Sequence, residues 1–476
     1  MNIFNILDEA SLKWGGREAV IVDENVISYK KLFDNASFIK NQLISKGVVK
    51  GSAISIIAPN GIDFVTLLMA TAGTGAVVMP IFHKEKPREI DETLKKGQVH
   101  YFITIKNSFA THGVLKSIIK LDNQEFFLYK TSRDLKNKTA SFIEDPCFMR
   151  FTSGTTGNAK GVIISHQSVM DRIKSANEGL MLNEKDKVYW VLPMAFHFVV
   201  SIVLFLKYGI TIVVNTTFSA TEICDSIIKN EVTFLYGSPM YIKLLNSSSK
   251  TVSLPTLKKV ISTSSSIAPN ECNSFFDKYN VPVTQAYGII EVGLPIINTQ
   301  KLTYSPESVG YSLPAYSVGI LDAKYEELGE NKIGLLGIKG PGMFDAYLSP
   351  PTLRNDTLMN GWFITGDYAI RDEEGLITIK GREKSVINVS GNKVFPYEVE
   401  NVVNSYPGVV KAKAYSKNHV LLGEIVAVYI VKELNKEIDE EELINFSRKF
   451  LSDYKVPQMI DFVPDIKMTS SGKIKR

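Results

Sequence analysis

Cysteine is scarce in this 476-residue chain, with only Cys147, Cys224 and Cys272, all widely spaced. Neither a disulfide framework nor a zinc-ligand spacing can be drawn from them, so a reducing compartment, the cytoplasm, is expected. An excess of one charge sign is also missing. The 54 basic and 50 acidic residues leave a formal net charge of +4, too balanced to point to nucleic acid or to an anionic membrane. Long apolar runs are lacking. The most apolar stretch, Phe196 to Val214, is broken by Lys207 and Gly209; it is too interrupted to cross a membrane and predicts a core helix followed by a strand. The N-terminus has no basic segment and carries acids early, which argues against a signal peptide. No repeat or low-complexity tract is visible. What is present is an ordinary globular composition, 45% hydrophobic and 22% charged, with length for two or three domains.

Periodicity orders the first third of the chain. Ile3, Ile6, Leu7 and Ala10 recur at helical spacing. Two short strands follow at 19–22 and 26–28, then a helix through Leu32, Ala36, Ile39 and Leu43 that stops at Gly47. Strands at 53–57, 76–79 and 101–104 alternate with helices at 64–72 and 88–96. Strands alternating with helices predict an α/β layered domain with largely parallel sheets.

The stretch from Phe151 to Gly161 stands out. An apolar lead-in, Cys147 to Arg150, reads as one strand and Val162 to His166 as another. Between them lie Thr152, Ser153, Gly154, Thr155, Thr156, Gly157 and Lys160. Glycines let the backbone turn and approach a ligand closely. Consecutive N–H groups, hydroxyls and an ammonium make an anion nest, a cradle for polyphosphate. It is not a Walker loop, which needs its lysine followed by Ser or Thr at the start of a helix. A plain hairpin turn is the bland alternative, although a hairpin needs far fewer residues.

The string resembles the signature loop of the adenylate-forming superfamily: acyl-CoA synthetases, luciferases and the adenylation domains of peptide synthetases. Further matches follow in order. Ala286, Tyr287, Gly288 and Glu291 resemble the family's Tyr-Gly-x-Thr-Glu motif, with Ile290 where the family has threonine. The stretch from Trp362 to Asp367 reads as a strand ending in an acid. Arg382 and Lys384 come next, then the segment 386–393, which resembles the loop that enters the active site, and Lys473 near the C-terminus. Among the plainer elements, His197 reads as the end of a strand, and Asp439 with Glu442 as a capping-box-like helix start continued at helical spacing by Leu443, Phe446 and Phe450. The 27–29 segment and the 58–61 turn also look like the family's N-terminal lobe.

The resemblance implies a fold and a set of roles. The fold is α/β: a large N-terminal domain of layered sheets with a small barrel-like subdomain, residues 1–383, and a small mobile α+β domain, residues 384–476, hinged at Lys384. Lys160, Thr155 and the neighbouring hydroxyls would hold the phosphates of ATP. Tyr287 would stack on adenine, flanked by Ser264, Ser265 and Ser266, and Glu291 would hold Mg²⁺. Asp367 would take the ribose hydroxyls with Arg382 beside it. Lys473 would bridge carboxylate and α-phosphate. His197, Phe198, Val199, Tyr236, Ile289 and Leu294 would line an acyl pocket, and Ser390 and Gly391 a thiol tunnel.

Residue habits give plainer readings for several of these. A lone histidine in apolar surroundings is more often a core residue, a serine-rich turn a polar loop, and a basic C-terminal tail merely solvated. The implied activity is acid activation to acyl-AMP, then transfer to a thiol. Coenzyme A is the first expectation, and a carrier-protein phosphopantetheine is the alternative. A nucleotide-binding protein without catalysis is a further alternative, motivated by Ile290 and by the chain ending soon after Lys473. No acid lies between Asp186 and Glu222. The resemblance implies that amino-acid-activating members place an aspartate near the position of His197; without one an α-amino acid would bury an unpaired cation there, which argues for a substrate without an amino group near its carboxylate.

Overall fold

The computed structural model describes residues 2–107, 112–152, 160–199, 201–248, 252–298 and 305–467. The chain packs into two compact units. The first comprises residues 1–306, 312–317 and 340–358, the second 307–311, 318–339 and 359–476. The expected boundary at Lys384 falls inside the second unit.

The first unit is built on two nine-stranded sheets. In one, Glu18–Val22, Thr211–Val214, Lys187–Trp190, Phe234–Gly237, Lys259–Ser262 and Val283–Ile289 run parallel to their neighbours. Antiparallel strands cover its edges. In the other, Tyr101–Thr104, Ala53–Ile57, Val77–Pro80 and Pro146–Phe151 form the parallel centre. The strand Gly161–Ser165 folds back on Pro146–Phe151, and Ala346–Tyr347 pairs with it in turn. Ala53–Ile57, Val77–Pro80, Tyr101–Thr104 and Gly161–Ser165 are buried throughout their length, as sheets covered on both faces require.

Two helices join the sheets. Ile62–Gly73 is apolar on nearly every face and touches strands of both, the pattern of a core helix. His166–Leu180 also packs on both, burying Val169, Ile173, Ala176 and Leu180; each such side chain contributes about 1.5–3 kcal/mol on burial. The preceding strand, expected to run through His166, ends at Ser165. Ser165 accepts a hydrogen bond from the Ser168 N–H at 3.2 Å and ends the strand as an N-cap, so His166 belongs to the helix. The apolar stretch after Phe196 is helix Ile202–Lys207 followed by strand Thr211–Val214, as expected.

In the second unit Ser317–Leu321, Ile333–Lys339, Phe363–Arg371 and Ile377–Arg382 form a four-stranded sheet, the element anticipated as a small barrel-like subdomain. A five-stranded sheet with helices Pro396–Asn404 and Glu440–Arg448 forms the α+β part. Asp439 caps the second helix, accepting from the Glu442 N–H at 2.9 Å. Phe450 does not continue that helix: it lies past the helix end and is exposed.

Candidate active site

The polyphosphate-type loop springs from the hairpin of Pro146–Phe151 and Gly161–Ser165. Its mouth is closed by Thr152. The Thr152 N–H donates to the Lys160 carbonyl at 3.0 Å, and the Lys160 N–H to the Thr152 hydroxyl at 3.2 Å. Ser153, Gly154, Thr155, Thr156 and Gly157 lie outside the described residues, as does Lys473.

Lys160 projects from the hairpin to the ring of Tyr347, with its Nζ 4.4 Å from the ring centroid. Tyr347 sits on the neighbouring strand, opposite Val162, and its hydroxyl donates to Glu291 Oε1 at 3.4 Å. Burial, with Glu291 beside it, pushes this phenol well above the usual range, so it stays a donor. Sequence motifs far apart in the chain, at 160 and 291, therefore meet through a tyrosine that no motif marked.

Glu291 is held from behind. The Arg172 guanidinium donates to the carbonyls of Gly342 at 2.7 Å, Ile290 at 2.9 Å and Glu291 at 3.3 Å. The Phe344 N–H also donates to the Glu291 carbonyl, at 2.6 Å. Arg172 is 1% exposed. Burial pulls its pKa down to about 10, against the pull of Tyr316, Asp345 and Glu291. Two glycines make room for it. A Cβ on Gly293, whose φ is +99°, would come within 2.8 Å of Arg172 Cγ, and one on Gly342 within 2.4 Å of the Arg172 nitrogen. Arg172 has a plain helical spacing, and nothing in the sequence pattern distinguishes it.

Ala286, Tyr287 and Gly288 lie on strand Val283–Ile289, which bulges between Tyr287 and Ile289 against Gly293–Ile297. Gly288 has no room for a side chain, since a Cβ would sit 2.4 Å from the Gly293 carbonyl oxygen. On the adjacent strand, Lys259–Ser262 runs into the serine-rich turn. Ser264 has φ +74°, and Ser265 and Ser266 are exposed. The hydroxyls of Ser262 and Ser264 are buried without a hydrogen-bond partner among the described residues. Buried polar groups are normally satisfied, and these lie where a parallel sheet binds ligands. They fit a nucleotide base or ribose. Glu291 fits Mg²⁺, which needs few protein carboxylates when phosphate oxygens and water complete its shell. Among the described residues no group of three or more His, Cys, Asp or Glu could hold a metal unaided.

In the second unit Asp367 is not at a strand end, as its turn-like neighbours indicated. The strand Phe363–Arg371 runs on past it because Gly366, at φ +75°, absorbs the irregularity within the strand. Asp367 is buried, and Arg382 pairs with its Oδ1 at 2.9 Å and also donates to the Thr365 carbonyl at 3.1 Å. Lys384 lies exposed in a single turn, Glu383–Ser385. The segment 386–393, expected as a loop, is largely a hairpin of Ile387–Val389 and Asn392–Val394. Ser390 and Gly391, at φ +48° and +84°, form its tight turn, the primed geometry that suits two-residue hairpins.

His197 ends a short helix, Met194–His197, rather than a strand. Pro193 starts this turn, and Asn60 braces it by accepting from the Met194 N–H and donating to the Leu192 carbonyl, both at 2.8 Å. The His197 ring lies 6.3 Å from Trp190, which stacks on Tyr236 at 5.6 Å. Phe198 meets Phe148 edge-on at 4.4 Å. His197, Phe198, Val199 and Tyr236 thus fall in one apolar neighbourhood. Ile289 and Leu294 lie two and three strands away from Tyr236 in the sheet order.

The AMP-binding enzyme family model matches residues 7–348, and the AMP-binding enzyme C-terminal domain matches 398–473. The chain belongs to the AMP-binding enzyme family. Its similarity to curated members of that family is end to end. It is 24% identical to a long-chain-fatty-acid–CoA ligase of Escherichia coli O6:H1, over 100% of this chain and 93% of the relative. It is 26% identical to a mitochondrial medium-chain acyl-CoA ligase of Macaca fascicularis, over 97% and 83%. Among solved structures, ATP-bound MatB from Rhodopseudomonas palustris superposes with a TM-score of 0.85 at 22% identity, covering 100% of this chain and 97% of that one. The o-succinylbenzoate CoA synthetase of Bacillus subtilis gives 0.85 at 22%, covering 99% and 97%. The mixed α/β architecture, with a large N-terminal and a small C-terminal domain, is that of adenylate-forming enzymes. Beside the family motifs of this AMP-binding enzyme, Arg172 and Tyr347 lie against Glu291, Trp190 against His197 and Phe148 against Phe198.

Proposed function

We propose that the protein activates a carboxylic acid with ATP, giving acyl-AMP and pyrophosphate, and then transfers the acyl group to the thiol of coenzyme A. It is an AMP-forming acid–thiol ligase of the acyl-CoA synthetase type. The observation that carries this reading is the chain of contacts from Lys160 through Tyr347 to Glu291, which links the phosphate-loop cation to the metal carboxylate. Displacement at phosphorus is a matter of positioning and charge neutralisation. Lys160 supplies a cation at the β- and γ-phosphates. Glu291 would hold Mg²⁺, which neutralises phosphate charge when bound. Tyr347 fixes the direction of the Glu291 carboxylate, and Asp367, oriented by Arg382, holds the ribose. Lys473 and Lys384 keep the roles that the resemblance implies, adenylation cation and hinge, and Ser390 and Gly391 the thiol passage. The apolar wall of Trp190, Tyr236, Phe198 and Val199 favours an aryl or a medium to long aliphatic acid. The fatty-acid and acyl-CoA ligase names of the relatives support coenzyme A as acceptor.

Pyrophosphate release from ATP, measured across acids from benzoate to octanoate and palmitate and followed by acyl-CoA detection, tests the reading. Acid-dependent release with thioester formation is the expected result. Tight ATP binding with no release for any acid would sink it.

Two substitutions probe the nucleotide site. Asp367→Ala should weaken AMP binding about tenfold or more, since a carboxylate holding vicinal hydroxyls makes bonds about twice as strong as neutral ones. Calorimetry showing unchanged AMP affinity would remove Asp367 from the site. Ile290→Thr should speed adenylation by about tenfold, because a preorganised hydroxyl at a centre of developing charge is worth at least that in comparable settings. Ile290 is part-buried and its backbone is pinned by Arg172, so the new side chain is presented without backbone movement. A slower variant would assign the Ile290 side chain to packing instead.

A further inference from the structure

Arg150 forms no ion pair among the described residues. It lies on strand Pro146–Phe151, two residues before the last described residue of the phosphate loop. One donor, Nη1, is bonded to the Phe196 carbonyl, and the guanidinium sits 4.6 Å from the Phe196 ring centroid. A guanidinium carries several N–H donors in a fixed fork, and no other hydrogen bond from it is made among the described residues. Crowding pulls its pKa down to about 10, opposed by the through-space pull of Glu291 and then Glu85. Neither carboxylate forms an ion pair with it. Arg150 is part-buried, and its remaining N–H donors are free to take an arriving anion.

The surroundings say which anion. Side chains two apart on a strand share a face, so Arg150 faces the same way as Phe148, whose ring meets Phe198. Arg150 itself meets Phe196. Both therefore address the 196–199 segment that lines the acyl neighbourhood, and the strongest through-space partner of Arg150 is Glu291, the metal-binding candidate. A cation that touches the acyl segment and feels the Glu291 charge suits the carboxylate of the acid that is to be activated. The guanidinium fork matches a carboxylate with two parallel hydrogen bonds. Glu85, whose pKa burial and the nearby Glu89 push up to about 6 against the pull of Arg150, makes no ion pair with the guanidinium among the described residues.

We propose that Arg150 binds the reacting carboxylate of the acid substrate, in a site that also lacks the hydroxyl replaced by Ile290. The inference rests on the ligase reading above and adds a carboxylate-binding residue to it.

The test uses the full chain and ATP–pyrophosphate exchange, with the same acids from benzoate to palmitate varied in concentration. Arg150→Met should raise KM for the acid about 100-fold while AMP affinity, measured by calorimetry, stays within about twofold, which also shows that the variant is folded. Arg150→Lys, which keeps the charge but not the fork, should recover about a tenth of the lost acid affinity. An Arg150→Met enzyme with unchanged KM for the acid and normal AMP binding overturns the proposal and leaves the ligase reading intact. AMP affinity lost with acid KM unchanged in both variants also overturns it, assigning Arg150 to phosphate. A wild-type enzyme that shows no exchange with any acid overturns the ligase reading and this inference together.

Discussion

Replacing Arg172 by methionine should destabilise the protein by about 3–5 kcal/mol, the range for removing one partner from a buried charged network. Methionine fills much of the volume but donates nothing. The Gly342 and Ile290 carbonyls lose the arginine partner they have here, and each unsatisfied buried group costs about 1–3 kcal/mol. The Glu291 carbonyl keeps the Phe344 N–H. Urea denaturation followed by tryptophan fluorescence measures the change. A loss below about 1 kcal/mol would mean that water or a rearranged turn satisfies these carbonyls, and the brace would not be needed. The expected phenotype is loss of fold and of activity together, because the turn that carries Glu291 is the turn Arg172 holds.

Glu291→Gln should separate the two. The amide keeps an oxygen for the Tyr347 hydroxyl and leaves every backbone contact of Arg172 and Phe344 in place, so stability should change by less than about 1 kcal/mol. Only the charge is removed. Pyrophosphate release should fall about 100- to 1000-fold, the range for deleting one preorganised electrostatic element, and the Mg²⁺ concentration for half-maximal rate should rise about tenfold. AMP affinity without metal should be nearly unchanged. Full activity with an unaltered Mg²⁺ requirement would move the metal away from Glu291.

Much of the framework was legible because it depends on local patterns. The alternation of strands and helices through residue 104 follows from apolar spacing, and the helices Phe4–Trp14 and Tyr29–Ser45 appear where that spacing placed them. Asp439 was legible as a cap because capping is decided within three residues. The misreadings arise where pairing or bracing, rather than local pattern, decides the structure. The strand through Asp367 was read too short because Gly366 looks like a turn, whereas pairing with Ile377–Arg382 carries the strand through it. His197 was placed on a strand, but Pro193 and the distant Asn60 fold that segment into a helical turn. The segment 386–393 was read as a loop because its turn residues, Ser390 and Gly391, are flanked by strands only three residues long.

Site residues divide the same way. Those within motifs, such as Lys160, Tyr287 and Glu291, could be found by resemblance. Arg172 and Tyr347 carry no local signature. Arg172 occupies an ordinary inward helical position, and Tyr347 one of two residues in a very short strand. The retrievable clue was a pair of glycines, Gly293 and Gly342, at which a large neighbour excludes any side chain.

The Arg172 brace has a consequence for how the chain acquires its site. One guanidinium ties position 172 to carbonyls 118, 119 and 170 residues away in sequence. Contacts of such separation must await closure of long loops and form late in folding. A ribosome that has released only the first 300 residues has made Arg172, Ile290 and Glu291 but not Gly342 or Phe344. The nascent chain then holds a buried-to-be cation with only part of its acceptors. The Glu291 turn is therefore expected to stay protease-sensitive until the segment around 342–348 emerges, and to gain protection as a step near that length rather than gradually.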